Sequence, residues 1–202
     1  VQFAAAESCL NLGEYAQAEK EYLKILSEFP DTPLKSRTYF QIALCLDRQE
    51  RYDDALSAYK RFVRLYPEDM QKDEATLAMG TIYFKQGQYG HARQAFRKTI
   101  GRYPYDAWND QSLFMISECL ARENDYKGAR DVLDELIFNY PDSEYAKKAL
   151  FKEGDYFYEE GDAKKAVEYY EAALNKYPDH ELARPTTLLL GTVYVESREF
   201  DK

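Results

Sequence analysis

The sequence predicts an all-α fold, a solenoid of antiparallel helix pairs stacked side by side, and three observations predict it. Prolines keep a strict period: Pro30, Pro67, Pro104, Pro141 and Pro178 stand 37 residues apart, each preceded by an aromatic, Phe29, Tyr66, Tyr103, Tyr140 and Tyr177. Alanines follow in the same register at Ala18, Ala55, Ala92, Ala129 and Ala166, each followed four residues on by Tyr22, Tyr59, Phe96, Leu133 or Tyr170. Small residues recur between these blocks at Ala6, Ala43, Gly80, Ser117, Gly154 and Gly191. Self-similarity at a fixed period of this length is the mark of a repeat architecture, in which one supersecondary unit is stacked many times.

Each repeat divides into two helices. Between each Pro and the next Ala, apolar residues recur at spacings of three and four, as in Tyr39, Ile42, Ala43 and Leu46, or Leu113, Ile116, Ser117 and Leu120. One apolar stripe at that spacing makes the first helix of the pair. A turn follows, where Gly13, Gly87, Asn124 and Gly161 share a column of residue types that accept the left-handed conformation ending a helix. Glu50 and Arg198 occupy the same column at a cost of about 1 kcal/mol each. The second helix runs through the alanine column, with Tyr15, Tyr52, Tyr89, Tyr126 or Ala163 three residues before the alanine. It stops at the aromatic before Pro, because the Pro ring pushes its predecessor out of helical geometry. The loops then supply starts for the next first helix, such as Thr32 before Pro33 and Asp142-Ser143 before Glu144.

The alanine column and the small column let helix backbones approach, and the large aromatics fill what remains. One pair cannot bury both of its faces, so each repeat needs its neighbour. The expected organisation is a single array over 1–202, with repeats at about 1–35, 36–72, 73–109, 110–146 and 147–183, then the first helix of a sixth at 184–202.

The run from Leu150 to Pro178, with Gly154, Phe157, Gly161, Ala166, Tyr170, Ala173 and Pro178, resembles the tetratricopeptide repeat (TPR) almost column by column. The resemblance covers the whole chain, and it implies a right-handed superhelical solenoid that binds extended peptides or partner helices along its first helices. The sequence departs from the usual pattern in its longer period, the extra residues falling between Pro and the next helix. Boundaries such as Tyr140 to Ser143 are similar to those of bacterial envelope repeat proteins: the lipoprotein that assists outer-membrane barrel assembly and the periplasmic partner of the Tol-Pal system. The carboxylate clamp of chaperone-binding relatives requires Lys and Asn where this chain has Phe3, Phe40, Glu7 and Leu44, which disfavours that ligand class.

Composition narrows the function further. An apolar content of 45% suffices for a continuous core. Against 27 Lys and Arg stand 36 Asp and Glu, a net charge of −9 that repels phosphate backbones, so no nucleic-acid partner is expected. No apolar run approaches the roughly 20 residues that span a bilayer, so this segment is not expected to insert in a membrane. Catalysis needs a convergent cluster, yet His91 and His180 stand alone, read as a solvated residue on a second helix and a solvated loop residue. No phosphate loop, metal-ligand Cys pair or nucleophile beside a His is found, so neither an enzyme nor a cofactor is expected. Cys9, Cys45 and Cys119 read as small hydrophobes too far apart to pair. Unpaired thiols favour a reducing compartment and so pull against the envelope resemblance.

A binding surface is sought on the inner, concave face of the solenoid, where the resemblance implies that partners lie along the first helices. Phe3, Phe40, Leu77, Phe114, Phe151 and Leu188 share a column one position after the core column, and seven residues on come Leu10, Asp47, Phe84, Ala121, Tyr158 and Val195. Aromatics on both sides of a groove suit an apolar partner segment, although such a stripe more often serves packing. Arg48, Lys85 and Arg122 form a basic column that Glu159 and Glu196 reverse. It is either a solvated face or an electrostatic register, in which an acidic stretch of partner meets repeats two to four and a basic stretch meets repeats five and six. The candidate groove residues are therefore Phe40, Leu77, Phe84, Phe114, Phe151, Tyr158, Arg48, Lys85 and Arg122.

The reading that follows is a non-catalytic scaffold for a protein or peptide partner in a bacterial envelope assembly, periplasmic or outer-membrane-associated. The alternatives are a structural spacer using its convex face and ends, and a cytoplasmic location. The last helix is apolar on many sides at Leu188, Leu189, Leu190, Val193, Tyr194 and Val195, and the chain has no initiating Met. The array is expected to continue beyond both ends; without continuation, self-association through that helix is expected.

Overall fold

The computed structural model describes residues 2–101 and 108–200, with side chains placed as far as Val195. The boundary aromatic Tyr103, the boundary proline Pro104 and the side chain of Glu196 lie outside the described residues. Eleven α-helices and no strands are found among the described residues: α1 (Gln2–Asn11), α2 (Tyr15–Glu28), α3 (Lys35–Arg48), α4 (Tyr52–Leu65), α5 (Lys72–Lys85), α6 (Tyr89–Thr99), α7 (Asn109–Arg122), α8 (Tyr126–Asn139), α9 (Glu144–Glu159), α10 (Ala163–Lys176) and α11 (Ala183–Phe200). They fall into two compact units, 1–99 with three helix pairs and 100–202 with two pairs and α11.

Helix ends follow the expected chemistry, except that α6 stops at Thr99, with Ile100 and Gly101 outside the helix and short of the boundary aromatic. Phe29, Tyr66, Tyr140 and Tyr177 close their helices with φ of −129°, −130°, −134° and −135° and ψ of 66°, 63°, 54° and 65°, outside the helical geometry that a following proline disfavours. The turn column has positive φ throughout the five complete pairs: Gly13 at 80°, Glu50 at 59°, Gly87 at 73°, Asn124 at 62° and Gly161 at 83°. Each turn makes the same two bonds. Around Gly13, the Glu14 N–H donates to the Cys9 carbonyl at 2.9 Å and the Gly13 N–H to Leu10 at 3.1 Å. Those bonds satisfy carbonyls that the helix end would leave bare.

Two local expectations are corrected. Arg198 lies within α11, which runs to Phe200 without turning. A left-handed Arg is costly, and unlike Glu50 it has no following helix among the described residues whose packing offsets that cost. Thr32 does not cap α3. It braces the loop instead, its hydroxyl accepting from the Leu34 N–H at 3.3 Å, while Leu34 is the capping position. Ser143 does cap α9, accepting from the Tyr145 N–H at 3.0 Å.

The alanine column is fully buried in both units, as are Tyr22, Tyr59, Phe96, Leu133 and Tyr170. In the pairs of α5 with α6 and of α9 with α10, that large side chain rests on the small column. A Cβ added at Gly80 or Gly154 would run into the ring of Phe96 or Tyr170, whereas one added at Gly191 on α11 would meet nothing. Within each unit the second helix of one pair packs on the first helix of the next, α2 on α3, α4 on α5, α8 on α9 and α10 on α11.

Candidate functional site

The groove candidates separate once they are placed. Phe40, Leu77 and Phe151 are buried, at 3%, 6% and 2% exposure. Phe40 packs edge-on against Tyr59 at 5.9 Å and against Phe62 at 5.6 Å, so this column joins the two helices of a pair. Phe114 is half-buried beside Tyr145 of α9, with ring centres 5.5 Å apart. Phe84 is half-buried against Tyr89, at 5.5 Å.

The basic column is exposed, and each member sits in the last turn of its helix, Arg48 on α3, Lys85 on α5 and Arg122 on α7. A cation there complements the negative end of the helix dipole whatever else it does. In the first unit the Lys85 ammonium lies 5.2 Å from the centre of the Tyr52 ring. Beside Arg48 and Lys85 stands Asp47, whose Oδ1 is buried with no hydrogen-bond partner. Burial pushes its carboxyl above the ordinary range, and the two cations pull it back only in part.

In the second unit the structure brings Arg122 and Tyr158 together with Glu159 on one open cleft of about 530 Å³ between α7 and α9, closed on one side by Leu189 of α11. Its floor is a lattice of fixed charges. The Lys152 ammonium lies 3.7 Å from Glu118 Oε1 and 3.1 Å from Asp155 Oδ2. The Tyr156 hydroxyl donates to Glu118 Oε1 at 2.7 Å, and the Tyr170 hydroxyl to Asp155 Oδ1 at 2.9 Å. Burial alone would lower the Lys152 ammonium, but Glu118 and Asp155 outweigh it and hold the group above its ordinary value. Burial and then the neighbouring carboxylates push both tyrosine hydroxyls far up, so they remain donors.

His180 corrects the sequence reading. Its side chain is 8% exposed, not solvated. The Leu182 N–H donates to Nδ1 at 3.1 Å, which turns the ring onto Phe151, stacked at 5.1 Å. His91 is exposed, with its ring 5.3 Å from Tyr83. Cys45 and Cys119 are buried and not joined in a disulfide, and burial, with Glu19 adding, pushes the Cys45 thiol up to about 12. Among the described residues no group of three His, Cys, Asp or Glu side chains is placed to hold a metal ion, and no helix is long and apolar enough to cross a membrane.

One buried acid escaped sequence reasoning. Glu153, 3% exposed on α9, stands where the other repeats have Ala5, Ile42, Met79, Ile116 and Leu190. Its carboxyl is hydrogen-bonded to Asp134 of α8. Burial first, and then the Asp134 charge, push it up to about 8 against the pull of Arg130. The signal was available as a charge interrupting an apolar column.

Comparison with known proteins agrees with this geometry. Family models described as tetratricopeptide repeat match residues 2–68, 77–144 and 148–180. No curated protein matches the chain. Among solved structures, a tetratricopeptide repeat protein from Parabacteroides merdae is 12% identical with a TM-score of 0.78, over 98% of this chain and 74% of that one. MamA from Desulfovibrio magneticus RS-1 is 15% identical with a TM-score of 0.71, over 89% and 95%. YrrB, described as a TPR protein with an unusual peptide-binding site, is 19% identical with a TM-score of 0.65, over 92% and 90%. At these identities the likeness is one of fold.

Proposed function

Because the chain belongs to the tetratricopeptide repeat family, whose members are generally non-catalytic protein-interaction modules, we propose that it is a scaffold holding a partner segment on the exposed side of its first helices. The observation that carries this reading is the second-unit cleft, where Arg122 and Tyr158 converge on a floor of charges held in place by Tyr156 and Tyr170. Such a surface is preorganised, so the partner bears most of the ordering cost of binding. In the first unit the corresponding strip offers Arg48, Lys85 and the half-buried Phe84. The resemblance of the Tyr-Pro-Asp-Ser boundary to envelope repeat proteins supports a place in a bacterial envelope assembly, while cysteines that form no disulfide support the cytoplasm as the alternative.

A second reading, a spacer subunit joined through other faces, is favoured by an apolar side chain left in solvent on a second helix, Phe138 at 85% on α8. A photo-crosslinking residue placed at Tyr158 or at the exposed Glu168 of α10 separates the two. Crosslinks from position 158 that competing peptide abolishes are the expected result. Crosslinks only from position 168, into a large particle, overturn the groove in favour of the spacer.

A further inference from the structure

We propose that the second-unit cleft takes a basic segment of a partner protein, seating a Lys or Arg side chain on the carboxylates of Glu118, Asp155 and Glu159 with its stem against Tyr158. The proposal rests on the groove reading and specifies its partner. Charge is the first argument. Residues 1–99 carry 14 basic and 14 acidic side chains, whereas residues 100–202 carry 13 and 22, so the whole net charge of −9 belongs to the second unit. A field of one sign concentrates partners of the opposite sign and repels acidic ones.

The cleft repeats that imbalance at short range. Three carboxylates face two cations, and one cation, Lys152, is already shared between Glu118 and Asp155. Because tyrosine hydroxyls hold those two carboxylates in position, their placement does not depend on a second cation. Their side chains remain 19% and 35% exposed, and Glu159 is exposed. An incoming ammonium or guanidinium therefore finds oriented acceptors, while an incoming carboxylate finds three like charges and only Arg122 in its favour. The tyrosine wall suits the same guest, since a basic head over an aromatic ring is a pairing this unit uses itself: the Arg130 guanidinium lies 4.1 Å from the centre of the Phe157 ring.

The test uses two fluorescent peptides with one Leu/Tyr framework, interspersed in one with Lys and Arg and in the other with Glu, titrated against the whole chain by anisotropy. The basic peptide is expected to bind at least about tenfold tighter, and to lose about tenfold on combining Glu159→Lys with Glu118→Gln. A charge-matched control on the solvent side of α8 and α10, Glu135→Lys with Glu168→Gln, is expected to change binding by less than about twofold. Unchanged melting temperatures show that both variants are folded. Equal losses in the two variants overturn the seat in favour of diffuse attraction. Preferential binding of the acidic peptide, abolished by Tyr158→Ala, overturns the basic partner and leaves the groove standing. If neither peptide binds, the basic seat falls, and crosslinking from position 158 decides the groove independently.

Discussion

The two units repeat one design and fill it differently. In the first, the column facing the second helices is apolar at Ile42 and Met79 and the charges balance; in the second, the same column holds Glu153 at the α8–α9 contact and the surface is strongly acidic. The repeat therefore specifies a backbone, held by a few crossing positions that both units share. The other columns are free to carry a charge where packing and a partner carboxyl tolerate it.

The shared crossings should give the largest effects, equally in both units. Phe96→Ala in the first and Leu133→Ala in the second remove fully buried side chains from one column, and each is expected to cost about 3 to 5 kcal/mol in chemical denaturation. A loss confined to one unit would break the equivalence. Overpacking the same crossings is milder. Ala92→Leu and Ala129→Leu are expected to cost about 1 to 3 kcal/mol each, while Gln94→Leu, on the exposed side of α6, stays within about 0.5 kcal/mol.

Glu153 should distinguish the units by pH. Its folded carboxyl, raised from an ordinary 4.5 to about 8, keeps a proton that the unfolded chain releases, so its contribution is fully present below about pH 4.5 and is lost as pH rises through about 8. Glu153→Gln is expected to remove that slope, and Glu153→Ile to raise stability at pH 8 by about 1 to 3 kcal/mol, as relief of a poorly paired buried acid. Denaturation midpoints measured from pH 5 to 9 check this, and parallel profiles for wild type and Glu153→Gln would count against the shared proton. The smallest effect belongs to the turns. Glu50→Gly, at a φ of 59°, should stabilise the first unit by about 1 kcal/mol, and Asn124→Gly, at 62°, should change the second by only a few tenths.

The repeat, most of the helix ends and the buried crossings were legible in the sequence alone. Proline and left-handed turn residues act on their own backbone, and an alanine or aromatic repeated in five registers reports a close approach wherever it falls. The positive φ at Glu50 was legible for that reason, against the preference of the residue occupying it. Which of two adjacent columns meets solvent is set by the packing of one helix on another. Eight residues along a helix turn a position by only about 80°, yet the second helix of the same pair covers Phe40 while Arg48 stays open. The same holds for His180, turned inward by one backbone N–H, and for Glu153, whose proton depends on an Asp134 nineteen residues away. The convergence of Arg122, Tyr158 and Glu159 on one cleft is of this kind too. Exposure and charge coupling belong to pairs of elements, and a period read along one chain carries no measure of the distance between them.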